Sequence, residues 1–421
     1  MPITRRNFLA GAASAFAFRN ETLRGMDAIE WSEGSAQNED FWLRLRGQFN
    51  VDPNLTVFNH AGLSPSPRVV LDAMAREAKR ANADPSYVIW RKQDHELDGV
   101  RKDLATLVGC GNDELALTMN ATYGLQTAIM GVPMSAGDEI LATDHEYSRT
   151  FTAIDQRVRR DKVVSVILEL KSPPESREKV AAQIIDKITP KTRLIVLSQM
   201  TFLTGWKMPI KEVAAAVAGR DVAILVDGAH GIGLLSEKFP DMGGHLYTAC
   251  LHKWMMCPIG TGVFVVKSPW IQKTWPLHPA DETLDGDITK FSQVGTRPAA
   301  PLLAIKEGLE FHNILGLDRK AARLEHLRNR LASRVLGEPG VVNLGSLDTR
   351  VCQAILTLQF DKANCAALAG WLLSKHKIHV TTMMRAGMDG IRISPNVFTT
   401  HEEVDRLGSI LASVARTGIE G

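Results

Sequence analysis

The chain has 421 residues, of which 45% are hydrophobic and 23% charged, and its formal net charge is +2. These values are ordinary for a globular protein large enough for two domains, and the near-neutral charge gives no support for a nucleic-acid or anionic-membrane partner. The five cysteines are an odd number without a CxxC pair, so neither a disulfide framework nor a cysteine metal site is expected.

The first eighteen residues have the pattern of an export signal. Arg5 and Arg6 precede an apolar run from Phe8 to Phe18, which contains a possible cleavage site at Ala15-Phe16-Ala17. The run is too short to span a bilayer, and paired arginines before Phe-Leu resemble a twin-arginine signal. We therefore expect a periplasmic or secreted protein that uses the export machinery. The alternative is the basic amphipathic start of a cytoplasmic enzyme.

After a polar linker expected at residues 19–40, short apolar runs alternate with amphipathic helical patterns. Continuous apolar strands are predicted at 163–168, 194–198 and 222–226, with helices at 180–188 and 210–217 between them. Such strands are typical of a parallel sheet that is buried on both faces, so the middle of the chain is predicted to be a wound α/β domain.

The last third of the chain has a different pattern. A long helical stretch at 301–336, interrupted near Gly316, precedes predicted elements at 354–360 (strand), 364–375 (helix), 378–381 (strand) and 390–393 (strand). We predict a large α/β domain at 41–300, whose segment 41–60 packs on the second domain. Residues 301–421 are predicted to form a connecting helix and a small α+β domain.

An acid and a lysine lie at informative positions in the middle domain. One apolar strand ends at Asp227, and Lys253 follows 26 residues later in a polar break between two apolar runs. A lysine amine can hold an aldehyde cofactor as a Schiff base, and an aspartate can keep a pyridine nitrogen protonated, so the pair indicates pyridoxal phosphate (PLP). Both residues also have ordinary interpretations, because strand-end acids are common at α/β ligand edges.

The glycines after Asp227 raise the alternative of a nicotinamide dehydrogenase. They read Gly228-Ala229-His230-Gly231-Ile232-Gly233, whereas the dinucleotide fingerprint needs GxGxxG at a helix start directly after the first strand. The order and the late position of these glycines exclude that interpretation.

Polar residues also follow other predicted strands, at the edge where α/β sheets bind ligands. Thr122 precedes a helix predicted to start near Leu125, whose free N–H groups suit a phosphate, although an ordinary threonine cap is the alternative. The neighbouring residues 144–146 do not converge readily on one ion, so no metal site is predicted. Thr201 follows a third strand, where threonine is also a common turn residue.

Together with His252-Lys253-Trp254 and with His230, three residues beyond Asp227, these motifs resemble the class V aminotransferase family of PLP enzymes. Within it they resemble the isopenicillin N epimerase-like branch, from about Phe58 to Leu407. The resemblance implies a fold type I PLP-dependent transferase, with a large wound, mostly parallel sheet and a small C-terminal α+β domain.

The resemblance also implies site residues. Lys253 holds PLP and then acts as the general base, while Asp227 keeps the ring cationic. An aromatic residue or histidine stacks on the ring, with Tyr147 as the first choice and His145 as the second. His230 contacts the ring oxygen or packs beneath the ring, unless it is a buried structural histidine. The full implied cofactor-binding set is Ala121, Thr122, Tyr147, Thr201, Asp227, His230, His252, Lys253 and Thr296.

Partners follow from two further motifs. In the family a Gly-Thr such as Gly295-Thr296 reaches the phosphate of the neighbouring subunit, which implies a homodimer with shared active sites. Arg392 matches the arginine that clamps the substrate carboxylate, so the substrate is an α-amino acid or a peptide that carries one.

Two departures from the family pattern concern cysteine. The stretch 381–390 lacks the reactive cysteine of the desulfurases, and Cys365 lies in an apolar helical pattern, so transfer of a persulfide is not expected. Cys250 stands where relatives carry a polar residue that assists phosphate binding.

The reaction itself stays open, because racemisation, transamination and elimination all use the same lysine and aspartate. The branch favours an epimerase-like enzyme. Export suits tailoring of a peptide or siderophore, or a C–S lyase. A protein that binds PLP without turnover is the last alternative, and the presence of Lys253, Asp227 and Arg392 argues against it.

Overall fold

The computed structural model describes residues 35–419; the expected signal and residues 19–34 of the expected linker lie outside this range. A helix begins at Glu39, inside the expected linker, because the Asn38 side chain accepts a hydrogen bond from the Phe41 N–H and caps it. Among residues 35–419, no helix combines the length and the apolar character needed to cross a bilayer.

The strands of the described range are β1 (Thr56–Val57), β2 (Leu115–Thr118), β3 (Glu139–Thr143), β4 (Val164–Leu168), β5 (Thr192–Ser198), β6 (Ala223–Asp227), β7 (Leu246–Cys250), β8 (Gly262–Val266), β9 (Val341–Asn343), β10 (Leu356–Phe360), β11 (Ile378–His379), β12 (Thr381–Met383) and β13 (Gly390–Ile393).

The helices are α1 (Glu39–Arg46), α2 (Arg68–Ala81), α3 (Pro85–Val88), α4 (Asp94–Val108), α5 (Ala121–Gly131), α6 (Ser148–Asp161), α7 (Arg177–Asp186), α8 (Ile210–Ala216), α9 (Phe239–Met242), α10 (Ser268–Lys273), α11 (Ala300–Leu303), α12 (Ile305–Leu315), α13 (Leu317–Val335), α14 (Cys365–His376) and α15 (His401–Thr417). A π-helical turn at Ile89–Gln93 joins α3 to α4.

Seven strands form one large sheet in the order β2-β8-β7-β6-β5-β3-β4. Neighbours from β7 to β4 are parallel, and β8 runs antiparallel between β2 and β7. The large, wound and mostly parallel sheet predicted from the sequence is confirmed.

Both faces of the sheet are buried, which explains the continuous apolar strands. Ile195 and Ile224 enter the core under α4, α7 and α8, whereas Val196 and Leu225 enter the core under α5 and α6. The edge strand β4 is the exception. It pairs only with β3 and leaves Val164 45% exposed, so the prediction that it is buried on both faces is wrong.

The second domain has an antiparallel sheet in the order β12-β13-β10-β9, covered by α13, α14 and α15 around a separate core. This confirms the predicted small C-terminal α+β domain. The sequence assigns residues 301–421 to a connecting helix and this domain. Leu302 and Leu309 of that stretch pack in the core of the large sheet, whereas the core of the small domain contains α13 residues from Leu327 onward.

The N-terminal segment joins the two domains. Thr56 and Val57 pair in parallel with Ile378 and His379, and Asn59 bridges Ser394. These contacts bring residues 56–66 close to the carboxyl edge of the large sheet, where the Ser64 N–H donates to the His252 carbonyl at 3.1 Å.

Candidate active site

Asp227 is the last residue of β6, at the sheet edge where parallel strands end. Its carboxyl is buried, and Oδ1 accepts a hydrogen bond of 2.9 Å from the Ala229 N–H. Burial raises the pKa of this carboxyl, whereas the hydrogen bond and the charge of Lys253 lower it. A cation placed against Asp227 would therefore be strongly favoured, since the carboxylate lacks water around it.

Lys253 lies in a tight turn between β7 and β8. Met256 adopts φ +55, and its N–H donates to the Lys253 carbonyl at 3.1 Å. This turn places Lys253 Nζ 3.0 Å from His230 Nε2. Burial lowers the pKa of Lys253 and holds the pKa of His230 well below its ordinary value, so a neutral imidazole faces an amine that loses its proton easily.

The helix α5 begins at Ala121 and not near Leu125, as the sequence had suggested. Asn120, rather than a threonine, caps it, because Asn120 Oδ1 accepts from the Tyr123 N–H at 3.0 Å. Ala121 and Thr122 are therefore the first two helical residues, whose N–H groups have no partner within the helix and favour an anion.

Small side chains surround the space between this helix start and the lysine. Ala121, Ala229 and Cys250 form a small buried cluster of their own, and the Ala121 N–H lies 3.3 Å from Cys250 Sγ. The start of α5 can lie this close to β8 because Gly262 of β8 has no side chain. A Cβ at Gly262 would lie 2.7 Å from the Asn120 Cα. The expected position of Cys250 beside the phosphate region is consistent with this contact.

Three buried histidines, each two or three residues beyond the end of β3, β6 or β7, have ring nitrogens without a hydrogen-bond partner in the described range. Within residues 35–419, His145 has no hydrogen bond at either nitrogen, and His230 and His252 have none at Nδ1. Burial lowers the pKa of His252 to about 4 and also lowers the pKa of His145, so these rings are neutral at physiological pH. Unpaired buried donors and acceptors beside a small apolar cradle fit a flat, polar-edged group such as PLP.

The structure favours His145 over Tyr147 as the residue that stacks on such a ring. His145 is fully buried just beyond the end of β3. Tyr147 is 38% exposed, and its ring contacts Phe202 edge-on with 5.8 Å between centroids. The first choice from the sequence rested on aromatic character, whereas burial decides which side chain can face an enclosed ring.

The Thr201 hydroxyl is hydrogen-bonded within its own turn. Its Oγ1 lies 3.3 Å from Thr204 Oγ1 and accepts a hydrogen bond of 3.2 Å from the Trp206 N–H. The hydroxyl is therefore used within its own turn, which supports the ordinary turn interpretation.

Thr296 is exposed on the surface of the chain. The neighbouring Arg297 donates to the Leu117 carbonyl at 3.2 Å, so the segment rests on the end of β2, close to the start of α5.

Arg392 projects from β13 of the small domain towards the large one. It is 4% exposed, and its two terminal nitrogens donate to the Phe202 carbonyl at 2.9 Å and to Asn59 Oδ1 at 2.7 Å. No carboxylate of residues 35–419 forms an ion pair with it, and its Nε has no hydrogen bond there. Burial lowers its pKa to about 10, so the cation lacks a counter-ion and suits a ligand carboxylate.

Two residues of the site were missed in the sequence. Asn59 orients Arg392, and no sequence pattern marks it because its partner is 333 residues away. Glu146 is fully buried and bonded to Thr143 Oγ1 at 2.9 Å and to Ser198 Oγ at 2.5 Å. The sequence shows an acid next to His145 after a predicted strand. It does not show that this acid is buried, because the burial depends on β5, whose Ser198 bonds to Glu146.

The cysteines do not supply a reactive thiol at the site. The β12–β13 turn at 384–389 has no cysteine. Cys365 starts α14 within the core of the small domain, and burial raises the pKa of its thiol to about 12. No group of three or more histidine, cysteine, aspartate or glutamate side chains in the described range could hold a metal ion.

Comparison with known proteins adds independent evidence. The model of the aminotransferase class-V family matches residues 56–407. The isopenicillin N epimerase of Streptomyces clavuligerus is 25% identical over 388 residues, which cover 88% of this chain and 97% of the epimerase. The putative L-cysteine desulfhydrase 1 of Oryza sativa subsp. japonica is 26% identical over 311 residues, which cover 70% of this chain and 64% of that protein.

Among solved structures, a C-DES mutant with glycine covalently linked to its PLP cofactor superposes with a TM-score of 0.76. It is 22% identical, and the match covers 87% of this chain and 98% of that one. This likeness confirms the fold type I architecture.

Proposed function

The chain belongs to the class-V aminotransferase family, whose members carry pyridoxal phosphate, and on this premise we propose that it is an epimerase-like enzyme. It acts at the α-carbon of an amino acid or of a peptide that carries one. The observation that carries the proposal is the distance of 3.0 Å between Lys253 Nζ and His230 Nε2, next to the buried Asp227.

When bound, PLP supplies a ring that withdraws electrons from the substrate α-carbon. The N–H groups of Ala121 and Thr122 would hold its phosphate. Asp227 would lie at the ring nitrogen and His145 at the ring face. The burial of Ala121, Asp227 and His145 excludes water, which strengthens their electrostatic contacts.

Lys253 is the residue that accepts the proton of the substrate α-carbon. Because burial lowers the pKa of Lys253, its amine accepts a proton from the substrate α-carbon more readily than an exposed lysine does. His230 Nε2 holds the amine in place and, being neutral, accepts one of its hydrogens. Arg392 binds the substrate carboxylate and so orients the α-carbon towards Lys253.

A C–S lyase or another β-elimination enzyme is the second candidate, and transamination uses the same residues. The desulfhydrase relative favours the lyase. A mechanism through a cysteine persulfide on the protein is disfavoured, because the β12–β13 turn lacks cysteine and burial raises the pKa of Cys365.

Isotope exchange separates these reactions. Incubation of the PLP-loaded protein with single enantiomers in D2O should give deuterium at the α-carbon together with the opposite enantiomer. Release of pyruvate and sulfide from cysteine or cystine without racemisation would show that the enzyme is a lyase and not an epimerase. Keto-acid formation would indicate a transaminase. Absence of any α-proton exchange would overturn the proposal.

We also propose a homodimer with shared sites. Four exposed apolar side chains border the site: Leu63 (52%), Met119 (56%), Ile259 (63%) and Val294 (37%). Leu63 and Ile259 are close to the lysine turn, since Ser64 bonds to His252, and Met119 and Val294 are close to the start of α5, since Arg297 bonds to Leu117. The exposed Thr296 is two residues from Val294. Such a patch suits a protein interface. Light scattering should give twice the chain mass, and Thr296→Ala should weaken PLP binding without dissociating the dimer.

Export through the twin-arginine route is proposed from Arg5 and Arg6 and the apolar run that follows them. Replacement of both arginines by lysine should retain the protein in the cytoplasm, as measured by cell fractionation. Unchanged distribution after this replacement would favour the cytoplasmic alternative.

A further inference from the structure

A second guanidinium without an ion pair among residues 35–419 lies on the turn between β12 and β13. Arg385 stacks on the Phe151 ring, with 4.2 Å between Cζ and the ring centroid. The turn is well defined: the Met388 N–H donates to the Arg385 carbonyl at 2.9 Å, and Ala386 and Gly387 both adopt positive φ. These contacts define the backbone of the turn that carries Arg385.

We call Phe151, Tyr147 and Phe202 the aromatic ledge: Arg385 stacks on Phe151, and Arg392 donates to the backbone of Phe202. Phe151 carries Arg385 and lies one helical turn beyond Tyr147. The Tyr147 ring contacts the Phe202 ring, and the Phe202 carbonyl accepts from Arg392. Tyr147 is 38% exposed, so the ledge is open to ligands.

The acids nearest to Arg385 do not neutralise it. Asp144 and Glu146 act on it electrostatically, but neither forms an ion pair with it within the described range. Asp144 Oδ1 accepts from the Leu170 N–H at 3.0 Å, and Glu146 is bonded to two hydroxyls. Burial raises the pKa of Glu146 to about 8, so this acid is mostly uncharged at neutral pH.

We propose that the Arg385 guanidinium binds a second carboxylate of the substrate, so that the enzyme prefers amino acids or short peptides whose far end is anionic. This rests on the proposed function, because Arg392 must hold the α-carboxylate. With the α-carboxylate at Arg392, a substrate long enough to follow the aromatic ledge would place its terminal carboxylate at Arg385. The planar fork of arginine matches a carboxylate, and the ledge packs against the chain between the two ends.

Equilibrium binding to the PLP-loaded protein tests this without turnover. The change in cofactor absorbance is titrated with matched ligands that differ in the charge of the far end: γ-glutamylglycine against γ-glutamylglycinamide, and 2-aminoadipate against its 6-amide. The wild type should bind the anionic member about 10- to 100-fold more tightly, as expected for a charge-assisted hydrogen bond. Arg385→Gln should abolish that preference and leave the neutral ligands unaffected, while Arg385→Lys should retain part of it.

The exposed Arg159 on α6 provides the control, and Arg159→Gln should change nothing. Equal affinity of the wild type for anionic and neutral ligands would overturn the second-carboxylate proposal and leave the proposed function standing. A wild type whose spectrum responds to no amino acid or peptide would overturn both.

Discussion

The Glu146 carboxyl accepts a hydrogen bond from the Ser198 hydroxyl, with 2.5 Å between Oε2 and Oγ. Ser198 pairs with Asp227 in the sheet register, so two buried acids lie at the same edge. Burial is the main cause that raises the pKa of Glu146 to about 8, and Asp227 contributes. Asp227 can then carry the charge at the site while Glu146 stays protonated.

Glu146→Gln should therefore remove a pH dependence of stability. In the folded protein the pKa of Glu146 lies above its unfolded value. The free energy of unfolding of the wild type therefore falls as pH rises from about 4.5 to 8, because the unfolded state loses this proton first. The variant should match the wild type near pH 5 and be more stable near pH 8, by on the order of a few kcal/mol. Denaturant unfolding at both pH values measures this. Exposed Glu402→Gln is the control, and equal pH slopes for wild type and Glu146→Gln would contradict the assignment.

His230→Gln should slow α-proton exchange by about 10- to 100-fold, because Lys253 Nζ loses the neutral nitrogen that positions it. PLP should still bind, since Ala121, Thr122 and Asp227 are unchanged. Exchange rates and cofactor absorbance are measured on the same samples, with exposed His95→Gln as the control. A variant with full activity would show that the contact is only structural.

Acid should destabilise the fold through a histidine pair. His326 Nε2 lies 2.8 Å from His401 Nε2, with Arg323, Arg330 and Glu39 nearby. Burial, then His401 and the arginines, lowers the pKa of His326 to about 4. Because the unfolded state binds the proton first, stability should fall as pH drops from about 6.5 to 4. Melting temperatures across this range should fall less steeply for His326→Asn, and an unchanged slope would argue against the pair.

Gly262→Ala should loosen the start of α5. The added Cβ would lie 2.7 Å from the Asn120 Cα and 2.8 Å from the Ala249 carbonyl oxygen, and backbone cannot yield cheaply. A loss of about 1–3 kcal/mol in the free energy of unfolding and weaker PLP binding are expected. Gly286→Ala, where a Cβ meets nothing within 4 Å, should be neutral in both urea unfolding and cofactor titration. Equal behaviour of the two variants would contradict this account.

Much of the fold could be predicted because its strands have a simple physical signature. The strands β5 and β6 are apolar on both faces, and the motifs of Asp227 and Lys253 follow strand ends. The start of α5 was misplaced because its first residues, Ala-Thr-Tyr-Gly at 121–124, show no apolar periodicity. The preceding Asn120 is a cap residue that the prediction did not use. The edge position of β4 depends on strand order, which local patterns do not contain.

The sequence motifs placed Asp227 and Lys253 at or just after strand ends, but they did not show which neighbouring side chains are buried. His145 and Tyr147 are two residues apart in sequence, and only the packing of β3 and α6 buries one and exposes the other. Asn59 and Arg385 depend on the small domain meeting the large one. Such long-range contacts leave no local trace in the chain.

The most direct test of the central claim is the site of cofactor attachment. The purified protein is loaded with PLP, reduced with borohydride and digested, and the labelled peptide is sequenced by mass spectrometry. We predict a visible band that borohydride bleaches, with the label on Lys253, and its loss in Lys253→Ala. Lys320 is the internal check, because it is also buried and its pKa is lowered to about 7. A label on Lys320, or a protein that stays colourless with PLP, would contradict the account.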